Sequence, residues 1–201
     1  MSGKTRRSNK KFSRTCRFRW SFFVVSISGM AWHGRPLTDI DRRLAMTIQK
    51  ITPFLWYSNE AEEAAAFYAG IFPDSRVVRV TAVPAAGSTK VVEFVLFRQT
   101  FFAMSSGGKE PFNHAVSFLV SCADQAEIDR YWDALLEGGG APEACGWLKD
   151  RFGVSWQIAP VDVISMMGDP DPEKARRAAE AMMKMVKFDV AALRAAYEGT
   201  A

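Results

Sequence analysis

Few side chains of this 201-residue chain are suited to metal or nucleophilic chemistry. Its histidines are His33 and His114, and its cysteines are Cys16, Cys122 and Cys145, with no CxxC spacing. Zinc sites draw mainly on cysteine and histidine, so the sequence offers almost no ligands for one. An odd number of cysteines without paired spacing is typical of a reducing compartment. We therefore expect a cytoplasmic protein without a Cys/His zinc site.

A single carboxylate, Glu93, interrupts an apolar strand pattern at residues 91–96. If Glu93 faces a cavity, loss of solvent would favour its protonated form and make it a candidate catalytic general base. If it faces water, it is only the polar member of an alternating strand. Cys145 is a candidate nucleophile only with a base beside it, and is otherwise an inert thiol.

The most informative run is residues 145–160, CGWLKDRFGVSWQIAP, in which a charged turn ending in glycine separates two short tryptophan-bearing strand patterns. The alternation after the turn places Trp156 and Ile158 on one strand face, and Ser155 and Gln157 on the other. This pattern predicts a tight β-hairpin with one face packed on a core and the other face lining polar surroundings.

The roles of the other hairpin residues stay open. Trp147 and Trp156 suit packing in a core or in the hairpin, with stacking on a substrate as the alternative. Lys149, Asp150 and Arg151 are predicted to form a solvated turn, with anion recognition by the two cations as the alternative.

The elements that position these residues follow the order β-α-β-β-β twice. Each half begins with a strand and an amphipathic helix, and each continues with short strands separated by turns. The predicted strands are 48–57, 76–83, 89–97 and 100–105, then 112–121, 144–148 and 154–159. A shift of 64 residues lays residues 54–55 on 118–119 and 67–68 on 131–132, which indicates an internal repeat.

Charge is divided unevenly along the chain. Residues 1–45 carry 11 Lys and Arg against two Asp, whereas residues 46–201 carry 15 against 20 acidic residues. The net charge of +4 therefore reflects a basic leader and gives little support for nucleic-acid binding by the folded part. The longest apolar stretch, residues 20–27, is far shorter than a membrane span. We expect neither a nucleic-acid nor a membrane partner.

Three regions follow from these patterns. Residues 1–45 are predicted to be a disordered leader or to precede the true start at Met46, with an export or transit signal, or anchoring to an anionic surface, as alternatives. Residues 46–160 are predicted to form the domain. Residues 161–201 are predicted to be a helical tail packed on the domain or on a dimer partner, since Asp171 and Pro172 are typical of a helix start.

The run at residues 145–160 and the start TIQKITPFLW at residues 47–56 resemble PhnB-like proteins of the glyoxalase/bleomycin resistance (vicinal oxygen chelate) superfamily. This branch is often labelled 3-demethylubiquinone-9 3-methyltransferase. The resemblance implies an α+β fold of paired βαβββ modules with a C-terminal helical tail, a cavity between curved sheets, and a homodimer that completes it. In many members a divalent metal is held there by His and Glu side chains from four strands.

Carried over residue by residue, the resemblance places the metal-ligand positions on weak ligands. The first-strand position falls on Pro53, the fifth-strand position on Ser117 or, in another register, Ala115, and the last-strand position on Gln157. The fourth falls within residues 101–105, which contain no carboxylate, imidazole or thiol. Hard or borderline cations need carboxylates or imidazoles, so we expect no metal site and no cofactor. His114 is predicted to lie on the strand face opposite Ser117.

The resemblance therefore predicts a protein that binds a small organic molecule in the cavity, with Glu93 as the candidate for metal-free acid–base chemistry. The predicted ligand-binding residues are Leu55, Met104, Ser117, Trp147 and Gln157. Whether the ligand is turned over stays open. The alternatives are a metal-dependent lyase, isomerase or dioxygenase, and the methyltransferase of the family label, although no Gly-rich turn opens a helix as nucleotide-type donor sites require.

Overall fold

The computed structural model describes residues 49–108 and 110–200; the predicted leader and the start at Met46 lie outside them. The strands are β1 (Phe54–Tyr57), β2 (Arg76–Ala82), β3 (Lys90–Leu96), β4 (Gln99–Ser105), β5 (Phe118–Cys122), β6 (Ala141–Pro142), β7 (Trp147–Lys149) and β8 (Ser155–Pro160). The helices are α1 (Ala61–Ile71), α2 (Gln125–Leu136), α3 (Val163–Met167), α4 (Pro172–Met182) and α5 (Val190–Glu198). None of the helices in these ranges is long and apolar enough to cross a membrane.

Two four-stranded sheets have the same topology. Sheet A has the order β1-β4-β3-β2 and sheet B the order β5-β8-β7-β6. In each, the first strand pairs in parallel with the last strand of its module, and the remaining neighbours are antiparallel. Strand β5 begins 64 residues after β1, at Phe118 against Phe54, and the helices show the same offset. The α+β fold of paired βαβββ modules is confirmed.

The two sheets share one core, which each sheet borders with one face. Alternate residues of β1, β3 and β4 point to α1, while those of β5, β7 and β8 point to α2. Across the junction, the Phe101 and Phe118 rings lie 5.4 Å apart, and Tyr68 of α1 lies 5.3 Å from Trp156 of β8. We call these sides of the sheets the packed faces.

The opposite sides, which we call the open faces, do not turn toward this core. On sheet A the open face carries Phe54 and Trp56, which are 53% and 43% exposed, and the Phe54 ring stacks on Phe102. On sheet B it carries Leu119, which is 48% exposed and pairs in register with Gln157. Because the packed faces meet each other, the two open faces of one chain lie on the outside of its core.

The strand predicted at 112–121 is shorter in the structure. Strand β5 begins at Phe118, and residues 114–116 form a turn and bend. The Asn113 side-chain oxygen accepts a hydrogen bond from the Ala115 backbone N–H at 2.8 Å, a local bond that competes with extended structure. The chain before β5 therefore cannot be assigned a strand face.

The C-terminal segment contacts the domain through backbone and side-chain bonds. The N–H groups of Cys145 and Gly146 donate to the carbonyls of Met185 and Val186, both at 2.8 Å. Phe188 is buried against Gly146, where a Cβ would lie 2.3 Å from its ring. This close approach and a φ of +78° explain why glycine stands at position 146.

The turn between β7 and β8 is organised by a buried carboxylate. Asp150, predicted to be solvated, is 4% exposed, and this prediction is wrong. Its oxygens accept hydrogen bonds from the Tyr68 hydroxyl at 2.7 Å, the Trp156 indole at 2.8 Å and the backbone N–H groups of Phe152 and Val154. Burial raises the pKa of Asp150, and the hydrogen bonds oppose that rise. One carboxylate thus joins α1 to the last hairpin.

We expect Asp150→Asn to lower the free energy of unfolding by about 1–3 kcal/mol, because an amide nitrogen replaces one accepting oxygen and leaves a buried donor unpaired. Urea unfolding followed by tryptophan fluorescence measures the loss. Asp133→Asn, at a side chain that is 72% exposed, is the matched control and should change stability by less than about 0.5 kcal/mol. Equal losses in the two variants would show that Asp150 does not organise the turn.

Candidate functional site

Three of the predicted ligand-binding residues lie together on sheet B. The Gln157 side-chain amide donates a hydrogen bond to the Ser117 hydroxyl at 2.8 Å. Trp147 is the register partner of Gln157 on the neighbouring strand β7. All three side chains are half-buried. They form a polar and aromatic patch on the open face of sheet B.

His114 borders this patch, contrary to the predicted placement on the face opposite Ser117. Its Nε2 lies 3.3 Å from a Glu143 carboxylate oxygen, and its ring lies 5.8 Å from the Trp147 ring. The prediction failed because it treated residue 114 as part of a strand, whereas the Asn113 turn sets its direction instead. The patch therefore contains an imidazole and a carboxylate beside the predicted amide.

Met104 and Glu93 lie on the open face of sheet A. Met104 pairs in register with Trp56 on β1 and with Val91 on β3. Glu93 accepts a 2.8 Å hydrogen bond from the Arg79 guanidinium, and its side chain is 22% exposed. Glu93 thus forms an ion pair on a partly solvated face. Its surroundings are intermediate between the two environments that the sequence allowed, a cavity and open solvent.

Leu55 is separated from these residues. It lies on the packed face of sheet A beside Ala103, is 8% exposed, and lines a cavity of about 160 Å³. Ser117 also lines a groove of about 400 Å³ between the modules, which β5 and the β3–β4 turn enclose. The structure therefore groups Ser117, Trp147 and Gln157, and it places Met104 and Glu93 on another sheet and Leu55 on another face.

Sequence reasoning missed the aromatic part of the open face on sheet A. Phe54 and Trp56 alternate along β1 with the buried Leu55 and Tyr57. That period of two is visible in the sequence FLWY, but all four residues are apolar, so the pattern does not distinguish a buried face from an exposed one. The partner of Glu93, Arg79, also required the strand register, which a bulge shifts between positions 77 and 79.

The residues present do not fit a divalent metal at the positions that the superfamily uses. The Gln157 amide and the Ser117 hydroxyl are neutral and are hydrogen-bonded to each other. Pro53 offers only its backbone carbonyl, which accepts from the Phe102 N–H. No group of three His, Cys, Asp or Glu side chains within residues 49–108 and 110–200 is arranged to hold one ion. Oxygen- and nitrogen-ligated cations need charged or imidazole ligands.

The cysteines differ in their surroundings. Cys122 is fully buried in the core, and this burial raises the pKa of its thiol to about 12. Cys145 is half-buried with a positive φ of 59°, and its N–H bonds to the tail. Cys16 lies outside the described residues.

A family model for 3-demethylubiquinone-9 3-methyltransferase matches residues 49–159, more than half of the chain. The chain belongs to this family. The match covers both modules and ends before the three tail helices. No curated protein is similar enough to the chain to count as a match.

Solved structures of PhnB-like and related proteins resemble the chain. A PhnB protein from Bacillus cereus, whose name carries the same methyltransferase label, is 32% identical, with a TM-score of 0.50, over 56% of this chain and 99% of that one. A Pseudomonas aeruginosa protein is 19% identical over 55% and 96%, with a TM-score of 0.47. The fosfomycin resistance protein FosX from Listeria monocytogenes, solved with Mn(II) as a mutant, is 13% identical over 56% and 93%, with a TM-score of 0.43.

We expect Cys122 of this PhnB-like protein to resist alkylation in the native state. Burial blocks access, and a pKa of about 12 keeps the thiol protonated at pH 8. Treatment with iodoacetamide followed by peptide mass spectrometry should leave Cys122 unmodified until urea is added. Rapid native labelling of Cys122, at the rate seen in urea, would mean that the core opens at this strand.

Proposed function

We propose that this PhnB-like protein binds a small organic ligand without a metal ion, in a cavity that the open face of sheet A from one copy forms with the open face of sheet B from a second copy. The observation that carries the proposal is the Gln157–Ser117 pair, which puts a neutral amide and hydroxyl where metal-binding relatives need a charged ligand. These groups suit hydrogen bonds to a neutral or polar organic molecule.

The composition of the two open faces supports an organic ligand. Sheet A supplies Phe54, Trp56 and Met104, while sheet B supplies Trp147 and the polar pair. Binding sites for small molecules are mostly apolar, with a few polar groups that set orientation. Glu93 is the candidate for acid–base chemistry on the bound molecule. Its pairing with Arg79 is compatible with a role in binding alone.

Homodimerisation is part of the proposal because a single chain cannot bring its two open faces together. Its packed faces already meet through contacts such as those of Tyr68 and Phe72 with Trp156. An aromatic surface around Phe54 and Trp56 is also costly to leave in water. A second copy would cover it.

Methyl transfer, which the family description names, has less support in this chain. The strand-to-helix connections of the described residues are 58–60, 123–124 and 161–162, and none of them contains glycine. Donor sites of the dinucleotide type need a Gly-rich turn that lets the backbone approach the ligand. The proposed ligand is therefore not a methyl donor held at a site of that type.

One observation favours the alternative of a metal-dependent enzyme. The His114 imidazole and the Glu143 carboxylate lie 3.3 Å apart beside Trp147 on sheet B. An imidazole and a carboxylate are ligands that Zn²⁺ and similar ions take, although a tetrahedral site needs further ligands. This pair lies off the positions that the superfamily uses.

A metal-retention experiment separates the two functions. The full chain is incubated with Mn²⁺, Ni²⁺ or Zn²⁺, desalted and analysed by inductively coupled plasma mass spectrometry. We expect far less than one ion per chain, because within residues 49–108 and 110–200 no three His, Cys, Asp or Glu side chains are arranged to hold one ion. Retention of one ion per chain that His114→Ala abolishes would replace the binding function with the metal-dependent one.

Sedimentation velocity tests the cavity between two copies. We expect the full chain to sediment as a dimer and Phe54→Asp to sediment as a monomer, because a carboxylate would be buried without a partner in the interface. Met183→Asp, at a residue that is 71% exposed in the tail, is the matched control and should remain dimeric. A monomeric wild-type chain at tens of micromolar would refute the shared cavity.

A further inference from the structure

A cleft of about 440 Å³ lies at the junction of the two modules, beside the turn between β7 and β8. Residues from the end of β1 and from its connection to α1 form part of the wall. Residues 110–112, before β5, and residues 149 and 151–153, at the hairpin, form the rest. Proteins bind small molecules in clefts of about 300–1,000 Å³, so this one is large enough for a ligand.

Aromatic rings supply the apolar part of the cleft. The Phe112 and Phe152 rings pack edge-on against Tyr57, with ring centres 5.1 Å and 6.1 Å from it. Trp56 is 43% exposed, and its indole N–H donates to the Ser106 hydroxyl at 2.5 Å, which fixes the direction of the indole. This part of the wall therefore suits an aromatic ring.

Two cations also line the cleft, at the positions for which the sequence left anion recognition open. The Arg151 guanidinium donates to Glu63 at 2.9 Å and lies over the Phe67 and Phe152 rings, 4.4 Å and 4.8 Å from their centres. These contacts hold it in place. Lys149 is half-buried and forms no ion pair with any residue in 49–108 and 110–200.

Two carboxylates share the cleft with these cations. Glu60 and Glu110 are both exposed, and within the described part of the chain neither forms an ion pair. Glu60 directly precedes α1, and Glu63 follows it by three residues, which makes the two neighbours on a helix. Since Glu63 binds Arg151, a cation and a carboxylate of the cleft lie close together without pairing.

This balance of charge determines which ligands the cleft favours. Two cations and two carboxylates line it, so a ligand with a single charge meets both attraction and repulsion. A ligand that carries one positive and one negative group can face each with its opposite. An α-amino acid carries both groups on one carbon atom, as the neighbouring charges of the wall require.

We propose that this cleft binds a zwitterionic amino acid with an aromatic side chain. The carboxylate of the ligand faces Lys149 and Arg151, and its ammonium group faces Glu60 and Glu110. The ring of the ligand lies against Trp56. Although Trp56 also belongs to the open face of sheet A, the cleft is built within one chain, so this site goes beyond the proposed function and needs no second copy.

Three probes of similar size test the need for both charges. L-Phenylalanine has both groups, 3-phenylpropionate lacks the ammonium group, and phenethylamine lacks the carboxylate. In nitrogen–proton spectra of the full chain, the Trp56 indole signal, assigned with Trp56→Phe, should shift on titration, whereas that of the buried Trp132 should not. We expect phenylalanine to bind at least about tenfold more tightly than either other probe. Absence of a Trp56 shift at millimolar phenylalanine would overturn the proposal, as would equal affinity for a probe with one charge.

Charge-removing variants test the two ends of the site. Lys149→Gln should weaken the binding of phenylalanine and 3-phenylpropionate about five- to tenfold without weakening that of phenethylamine, because only the first two carry a carboxylate. The double variant Glu60→Gln/Glu110→Gln should weaken phenylalanine and phenethylamine and spare 3-phenylpropionate.

Matched controls are Lys184→Gln and Glu137→Gln, at exposed residues that do not line the cleft, and both should bind all three probes as the wild type does. Unchanged affinity of Lys149→Gln for phenylalanine would overturn the proposal, as would equal losses in Lys149→Gln and Lys184→Gln.

Discussion

The arrangement of the two modules depends on the carboxylate of Asp150. It accepts bonds from Tyr68 in the first module and from Trp156 in the second, and the Tyr68 hydroxyl also lies 3.2 Å from that of Tyr57 on β1. A buried carboxylate is tolerated only when donors replace its water, and four donors do so here. Since those donors come from both modules, the carboxylate is satisfied only when the packed faces meet.

This junction determines which surfaces remain for ligands. Once the packed faces form the core, aromatic residues on sheet A and the polar patch on sheet B both face outward. The open face of sheet A is aromatic and that of sheet B is partly polar. Each face is therefore better suited to contact the other kind of face than a second copy of the same face. In a twofold dimer every contact between face A and face B occurs twice, which would create two equivalent cavities.

The sequence predicted the elements better than the surroundings of single residues. A repeat of 64 residues located both modules, because side-chain alternation survives in a single sequence. The burial of Asp150 was not predictable, since the run Lys149-Asp150-Arg151 has the composition of a solvated turn and its donors lie up to 82 residues away. His114 was misplaced because one local bond from Asn113 ended the extended pattern early. Leu55, Met104 and Glu93 remain predicted site residues, and the structure distributes them over different faces.

Strand β8 alternates between the core and the open face of sheet B. Trp156 enters the core, whereas Ser155 and Gln157 share the other face of the strand, where Gln157 reaches Ser117. A slip of one residue in register would exchange these environments. The turn prevents such a slip: the Asp150 N–H bonds to the Val154 carbonyl, the Gly153 N–H bonds to the Asp150 carbonyl, and the carboxylate holds the Val154 N–H. The positive φ of Gly153, +87°, permits this tight turn. The carboxylate that joins the modules therefore also sets the register of the strand that supplies Gln157.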